Sequence, residues 1–300
     1  MNILGVHWPK ITLVTPTYNR VEYLEECIQS VLSQNYPNLE YIICDGGSKN
    51  EAVLNIIRKY EGSLSWWDSL PDRGHAEAIR RGFDRSEGEI MNWLCSDDYL
   101  LPGALLAIGQ SFRGKNPPDV VYGHSLIVGS DSKILKENYA IPYLEWAAFT
   151  AGCIHQPAMF WSRDIYNRIG GKVGGANWEN VIYEPNVELL CRLQKKKARF
   201  YRLPEFITAM RSHPGTVCAT AGPELVEVSR STLRRYYPFC GQRLVYRVIF
   251  FLMRFYQLGA LVIQGDGDYV RRQIGRKVFA AVRGGKPAER MQSSKKEDRK

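Results

Sequence analysis

The sequence predicts an α/β protein with a mostly parallel sheet flanked by helices. Apolar, strand-like runs alternate with helix-spaced runs through the first hundred residues, and each strand-like run stops at a polar loop. The third observation is a pair of adjacent carboxylates, Asp97 and Asp98, placed directly behind the apolar residues Ile90, Met91, Trp93 and Leu94. Two like charges side by side repel, and each resists burial. A divalent cation with a taste for oxygen ligands, Mg²⁺ or Mn²⁺, resolves that conflict and commonly bridges to a diphosphate. A solvated turn is the plain alternative for such a pair taken by itself.

The elements follow in order. Ile11 to Val14 is apolar and runs into Thr15-Pro16-Thr17-Tyr18-Asn19-Arg20, after which Leu24, Ile28, Val31 and Leu32 fall at helical spacing. Leu39 to Cys44 is a second strand, ended by Asp45-Gly46-Gly47-Ser48, where two glycines permit a tight turn and close backbone approach to a ligand. Glu51 to Tyr60 reads as a helix, Trp66 and Trp67 as a short strand, Pro71-Asp72-Arg73-Gly74 as a polar loop and Ala76 to Phe83 as a helix; Glu89 to Leu94 leads to the carboxylates. Right-handed crossovers between parallel strands put all four loops, at Thr15, Asp45, Asp72 and Asp97, on one sheet edge, where ligands bind in such folds.

The ordered series Thr-Pro-Thr-Tyr-Asn-Arg, Asp-Gly-Gly-Ser, Pro-Asp-Arg-Gly and Ser-Asp-Asp-Tyr-Leu resembles family 2 glycosyltransferases, most of all the branch that builds bacterial surface polysaccharides. The resemblance covers roughly residues 10 to 220. It implies a GT-A fold, a nucleotide-diphosphate-sugar donor (UDP-, GDP- or dTDP-linked), a divalent metal and inversion at the anomeric carbon. By position, Thr15, Pro16 and Tyr18 resemble the loop around base and ribose, Asp45 the carboxylate that bonds the base, and Asp72 and Arg73 the loop that closes over the nucleotide. Asp97 and Asp98 resemble the ribose and metal carboxylates of a DXD-like motif. Read without the family, Asp45 is a helix cap or turn residue, Asp72 a turn residue and Arg73 a solvated charge. One departure is Arg80-Arg81-Gly82, where the family usually carries an Asn before the closing Gly; Arg80 is either a phosphate contact or the wet face of its helix.

In the second half, His155 and Gln156 resemble the family's His-Gln segment beside the donor sugar, with Gln156 a candidate partner of sugar hydroxyls and His155 a candidate contact or a satisfied internal histidine. Inversion needs a base that takes the acceptor hydroxyl's proton. Counting back from Arg192-Leu193, the usual Asp position holds Asn186, which cannot serve. Glu188 and Glu184 are the nearest carboxylates: Glu188 is rotated about 200° around the helix from Asn186, and Glu184 precedes Pro185 in a loop. Arg211-Ser212-His213-Pro214-Gly215 resembles the family's Arg-x-His segment, whose histidine reaches the metal or the diphosphate, on a loop suited to closing over the donor.

Composition sets the frame. Seven cysteines without a CxxC pair read as reduced thiols of a cytosolic protein, and Met1 to Pro9 is too short and insufficiently basic for a signal peptide. The net charge of +9 is carried entirely by residues 241–300, with 14 Lys+Arg against 5 Asp+Glu; residues 1–240 balance at 26 of each. Val245 to Gln264 is aromatic and aliphatic but broken by Arg247, Arg254 and Gln257, so it suits a membrane interface better than a span. A helix packed on the catalytic domain is the alternative. The expected organisation is a GT-A domain over 1–235, with a nucleotide-sugar half (10–120) and an acceptor half (121–235), then a basic helical tail over 236–300 with a disordered end. The expected function is transfer of a sugar to a glycan acceptor, polyprenyl-linked, at the inner face of the cell membrane. The alternative is a catalytically silent nucleotide-sugar-binding protein, motivated by Asn186. The tail lacks RNA-binding motifs, so no nucleic-acid partner is expected.

Overall fold

The computed structural model describes residues 7–143, 154–171, 185–220 and 222–238, with isolated positions at 248, 251, 252, 256 and 259. Contacts divide the chain into two units, Met1–Arg247 and Val248–Lys300. In the first, strands β1 (Ile11–Thr17), β2 (Leu39–Asp45), β3 (Trp66–Ser69) and β4 (Ile90–Trp93) alternate with helices α1 (Leu24–Leu32), α2 (Glu51–Tyr60) and α3 (His75–Arg85). Then come β5 (Tyr99–Leu100), α4 (Ala104–Ser111), β6 (Val120–Val128), β7 (Ile134–Asn138), β8 (Met159–Ser162) and α5 (Arg163–Arg168). The described order closes with α6 (Pro185–Lys195), β9 (Phe200–Arg211), α7 (Val217–Thr220) and α8 (Gly222–Tyr236).

All described strands join one sheet in the order β3-β2-β1-β4-β8-β6-β9-β5, with β7 paired to β6. The expected parallel arrangement holds from β3 to β4. Beyond β4 the sheet is mixed: β8 is antiparallel to β4 and β6, β9 is parallel to β6, and β5 and β7 run antiparallel to their neighbours. The strict strand–helix alternation that enforces parallel pairing lapses after Asp98, and a β6–β7 hairpin needs no crossover helix.

Register decides which loops meet. Thr17 lies opposite Asp45, and Asp45 opposite Ser69. The carboxyl ends of β1, β2 and β3 thus form one row, and β4 ends beside β1, with Trp93 opposite Val14. α1 buries Leu24, Cys27, Ile28 and Val31 against one sheet face, at the spacing read from the sequence. On the other face Phe83, Trp93, Trp161 and Tyr166 pack edge to face with centroids 5.4–6.3 Å apart.

The α3–β1 contact is close enough to require a glycine. A Cβ on Gly82 would lie 2.6 Å from Val14 Cγ1 and 2.8 Å from Val14 Cγ2. Val14 is fully buried in a central strand and cannot retreat. Alanine in a helix normally gains about 1 kcal/mol over glycine, whereas overpacking costs about 1–3 kcal/mol. Gly82→Ala is therefore expected to destabilise the protein by up to about 2 kcal/mol, read as a lowered midpoint in urea unfolding; a raised midpoint would show that the α3–β1 contact has slack.

Candidate active site

Four loops meet at the carboxyl edge of β1–β4. The first leaves β1 through Thr17 and Tyr18 to Asn19, a non-glycine residue at φ 50°. Asn19 earns this conformation by its contacts: its backbone N–H donates to Ser48 Oγ at 2.7 Å, and its side-chain oxygen accepts the Lys49 N–H at 3.0 Å. The β1 and β2 loops are thereby locked together. Tyr18 is 59% exposed on this edge. Thr17 Oγ1 is buried and has no hydrogen-bond partner among the described residues, a state that costs about 1–3 kcal/mol for a hydroxyl. Thr15, by contrast, is fully buried and turns inward, with Oγ1 3.1 Å from Tyr41 Oη and 3.9 Å from Cys27 Sγ. Its expected place around the nucleotide is corrected: strand alternation sends that side chain under α1.

Asp45 is fully buried. Its Oδ2 accepts the Ser48 N–H at 2.7 Å and the Ser69 hydroxyl at 2.6 Å, and Oδ1 accepts the Ser48 hydroxyl at 2.5 Å. These bonds fix the turn after β2. The two following glycines permit the next loop, rather than a ligand, to come close: a Cβ on Gly46 would lie 3.0 Å from Asp72 Oδ2, and one on Gly47, at φ 79°, 2.9 Å from Pro71 N.

Asp72 accepts the Gly74 N–H at 2.9 Å and an Arg81 N–H at 3.3 Å. Burial pushes its carboxyl above the ordinary range, against the pull of those two donors. Arg73 projects outward and pairs with Glu77 at 3.1 Å. The double arginine of α3 divides its labour. Arg80 pairs with Asp84 at 2.8 Å, while Arg81 grips Asp68 through two nitrogens at 3.1 and 3.2 Å and donates to the Asp45 carbonyl at 2.9 Å. Arg81 thus binds the ends of β2 and β3 to the Asp72 loop. Sequence reasoning singled out its neighbour instead, because one step along a helix, about 100°, separates the wet face from the inward one.

The carboxylate pair sits on a turn in which the Asp98 N–H donates to the Cys95 carbonyl at 3.0 Å. Asp98 is buried, and its Oδ1 accepts the Arg211 N–H at 2.9 Å. Burial first, and the charge of Asp97 second, push Asp98 well above the ordinary carboxylate range; the Arg211 N–H and guanidinium oppose that. Asp97 Oδ2 lies 3.1 Å from His213 Nε2. His213 Nδ1 accepts the Gly215 N–H at 3.1 Å, so neutral His213 carries its proton on Nε2, facing Asp97. Arg211 is the residue that sequence reasoning undervalued. Its side chain donates to the Asp97 carbonyl at 3.0 Å, to Gly129 O at 3.2 Å and to Glu26 at 2.5 Å. It also stacks 4.3 Å from the Tyr23 ring centre. Its only sequence signal was two-residue spacing from His213.

Gln156 is buried, and its Nε2 donates to Asn92 Oδ1 at 2.7 Å and to Trp93 O at 2.8 Å. Both amide hydrogens clip β4 to the turn before β8, which leaves only the side-chain oxygen for the expected contact with a sugar hydroxyl. His155 Nδ1 lies 2.6 Å from Ser125 Oγ. Glu188 is also corrected as a base. It is buried, Oε2 pairs with Arg192 at 2.8 Å and Oε1 accepts the Tyr236 hydroxyl at 2.6 Å. Both oxygens serve an α6–α8 clip and neither is open to an acceptor. Asn186 is exposed on the first turn of α6. Glu184 lies outside the described residues.

Strand order, loop convergence and the carboxylate turn are those of GT-A glycosyltransferases. The sequence model of glycosyl transferase family 2 matches residues 12–179, and the chain belongs to that family. Among curated relatives, an uncharacterized glycosyltransferase of Mycobacterium tuberculosis is 27% identical over 169 residues, 54% of this chain and 62% of the relative. A PGL/p-HBAD biosynthesis glycosyltransferase of Mycobacterium bovis is 28% identical over 165 residues, with 54% and 62% covered. A chondroitin synthase of Pasteurella multocida is 29% identical over 155 residues, 51% of this chain and 16% of that protein. The chain thus spans less than two thirds of these relatives. Among solved structures, Staphylococcus aureus TarS 1-349 in complex with UDP-GlcNAc superposes with TM-score 0.55 at 16% identity, covering 75% of this chain and 66% of that one. Mannosyltransferase PcManGT from Pyrobaculum calidifontis, in complex with GDP-Man and Mn²⁺, gives 0.51 at 16%, covering 79% and 65%. Both establish likeness of fold.

His155 gives the site region an acid sensitivity. Burial, aided by the charge of Lys136, lowers its pKa from 6.5 to about 4. Between those values the unfolded chain takes up a proton that the folded one refuses, so stability falls as pH drops through this window; above it, the residue contributes nothing. The full penalty is about 3 kcal/mol. His155→Gln is expected to flatten the fall in urea-unfolding free energy between pH 6.5 and 4; an unchanged slope would assign the acid sensitivity elsewhere.

Proposed function

We propose that this protein is an inverting glycosyltransferase that moves a sugar from a nucleoside-diphosphate donor to a lipid-linked glycan acceptor. The observation that carries the reading is the convergence of Asp97, Asp98 and His213 at the edge where the β1, β2 and β3 loops also end. The donor set fits a divalent cation. Asp97 and Asp98 supply the carboxylate oxygens, and His213 Nε2, which carries the ring proton 3.1 Å from Asp97 Oδ2, orients that carboxylate instead of serving as the expected metal ligand. Buried Asp98 also keeps a second oxygen beyond the one taken by Arg211. Such an ion, Mn²⁺ or Mg²⁺, supplies neutralisation of the charge that grows on a departing diphosphate.

The protein's own groups do the rest. Tyr18 offers an exposed ring on which a base stacks. Thr17 precedes it as the last residue of β1. Asp45, Asp72 and Arg81 hold the loops that frame these groups, and Arg73 lies on the loop's outer side. The acceptor hydroxyl attacks the anomeric carbon as the diphosphate oxygen leaves, and its proton passes to a carboxylate base. With both Glu188 oxygens engaged, we assign that role to Glu184, and Asn186 marks the first turn of the helix that follows it.

The same reading puts the enzyme at the cytoplasmic face of a membrane. No helix among the described residues is long and apolar enough to cross one. The basic tail supplies charge, and Val248, Phe251 and Leu252 are exposed by 49, 63 and 52% at helical spacing. Support for a glycan product comes from the relatives, among them a chondroitin synthase and a hyaluronan synthase of Pasteurella multocida.

Calorimetric titration of UDP, GDP and dTDP, with and without Mn²⁺, is expected to show one nucleotide binding in a metal-dependent way, with affinity at least tenfold weaker in Asp98→Asn. Glu184→Gln is expected to retain binding and lose about 10²-fold or more in turnover. Binding without turnover on any glycan acceptor would favour the silent nucleotide-sugar-binding reading, and no binding by folded protein would overturn the donor site. Separately, the full chain is expected to co-sediment with vesicles rich in anionic lipid, with binding weakened by salt. A chain lacking residues 241–300 is expected to stay in solution; retained binding would place the membrane contact elsewhere.

A further inference from the structure

The turn that carries Asp97 and Asp98 also carries a thiol. Its closing bond, Asp98 N–H to Cys95 O at 3.0 Å, folds residue 95 back over residues 97 and 98. Cys95 Sγ and one carboxylate oxygen from each aspartate lie within 4.8 Å of one another. Cys95 is reduced and partly exposed, whereas Cys27, Cys44 and Cys191 are buried. The Cys27 thiol donates to the Cys95 carbonyl at 3.6 Å, so the backbone of the turn is braced from below.

We propose that Cys95 is a direct ligand of the cation held by Asp97 and Asp98, which makes the centre a mixed sulfur–oxygen site. The proposal rests on the cation reading of the preceding subsection and adds a ligand that the Asp-Asp motif does not provide. Ligands at about 2.3 Å for sulfur and about 2.1 Å for oxygen stand roughly 3–4 Å apart on one ion; a shift of about 1 Å closes this set. His213, whose Nε2 faces Asp97 Oδ2 at 3.1 Å, holds that carboxylate in place from the His213–Gly215 loop. Ligation takes the thiol's proton, which leaves to solvent. The consequence is a change of metal preference. A centre of carboxylates and water suits Mg²⁺, while a thiolate favours Co²⁺, Zn²⁺ and Cd²⁺.

The test is spectroscopic and uses the full chain, titrated with Co²⁺ in the presence of whichever of UDP, GDP or dTDP binds. Wild type is expected to show visible ligand-field bands together with a near-ultraviolet sulfur-to-cobalt charge-transfer band. Cys95→Ser is expected to keep the former, lose the latter and bind Cd²⁺ at least tenfold more weakly, with a smaller loss for Mg²⁺. Asp97→Asn is expected to weaken both bands. Ligand-field bands without the charge-transfer band in wild type, or a Cys95→Ser spectrum matching wild type, would overturn the Cys95 ligand and leave the cation reading intact. No cobalt spectrum in folded wild type would overturn both. If Cys95→Ser fails to fold, alkylation of wild type decides: Cd²⁺ is expected to protect Cys95 from iodoacetamide, as seen by peptide mass, and undiminished labelling counts against the proposal.

Discussion

The guanidinium of Arg211 is the interaction on which the candidate site depends. It is a positive charge with almost no solvent contact, its side chain 1% exposed, so its burial is tolerable only if its donors and charge are met. They are met by the Glu26 carboxylate, the Asp97, Gly129 and Ser130 carbonyls, the Ser132 hydroxyl and the ring faces of Tyr23 and Tyr99. Those partners come from α1, the carboxylate turn, the β6–β7 hairpin and β5. One side chain at the end of β9 therefore fixes the parallel and mixed halves of the sheet against each other. The backbone of the same residue holds Asp98. Positioning of the carboxylate and cohesion of the sheet are one set of bonds, which explains why the turn can keep two adjacent acids half-buried.

The first half of the fold was legible because its signals are local. Helix α2 runs from Glu51 to Tyr60 and β1 begins at Ile11, as the periodicity of their residues indicates. Convergence of the four loops followed from parallel connectivity alone. What the sequence concealed was the direction of individual side chains. Thr15 and Thr17 sit two apart on one strand face, yet one closes a buried cluster with Tyr41 and Cys27 while the other reaches the loop edge with its hydroxyl unpaired. Arg80 and Arg81 are adjacent, yet only the second faces Asp68 and Asp72. Motif reading assigns a role to a residue type at a position; it does not say whether neighbouring carbonyls have already consumed the donors, as Asn92 and Trp93 do for Gln156. The mixed half of the sheet was hidden for another reason: its pairings join residues far apart in the chain, as in Leu100 of β5 opposite Thr208 of β9 and Ile90 of β4 opposite Ser162 of β8.

Glu188 illustrates how a motif residue can be structural without being idle. Its clip to Arg192 and Tyr236 ties α6 to α8, and Arg192 further donates to the Ile169 carbonyl at 2.8 Å, beyond α5. Helix α6 is anchored on two sides. Glu188 in the first turn is part of that anchor, and Asn186, two residues earlier, is exposed. The proposed base, Glu184, lies outside the described residues, and Asn186 stands where the family pattern has a helical acid.

Charge distribution assigns the remaining work. Because residues 1–240 carry equal numbers of basic and acidic groups, the catalytic unit projects no net long-range field toward an anionic donor. Capture of a diphosphate must then rest on charges placed at the site itself. Arg20 reaches Gly215 O at 3.0 Å and braces the His213 loop, Arg211 is internally consumed, and Arg81 is held by Asp68 and Asp72. The arginines near the site are structural, so the proposed cation is left as the principal positive charge for the diphosphate. On the proposed reading, donor binding is weak without metal, and donor affinity becomes a property of the 95–98 turn and of His213, which faces Asp97.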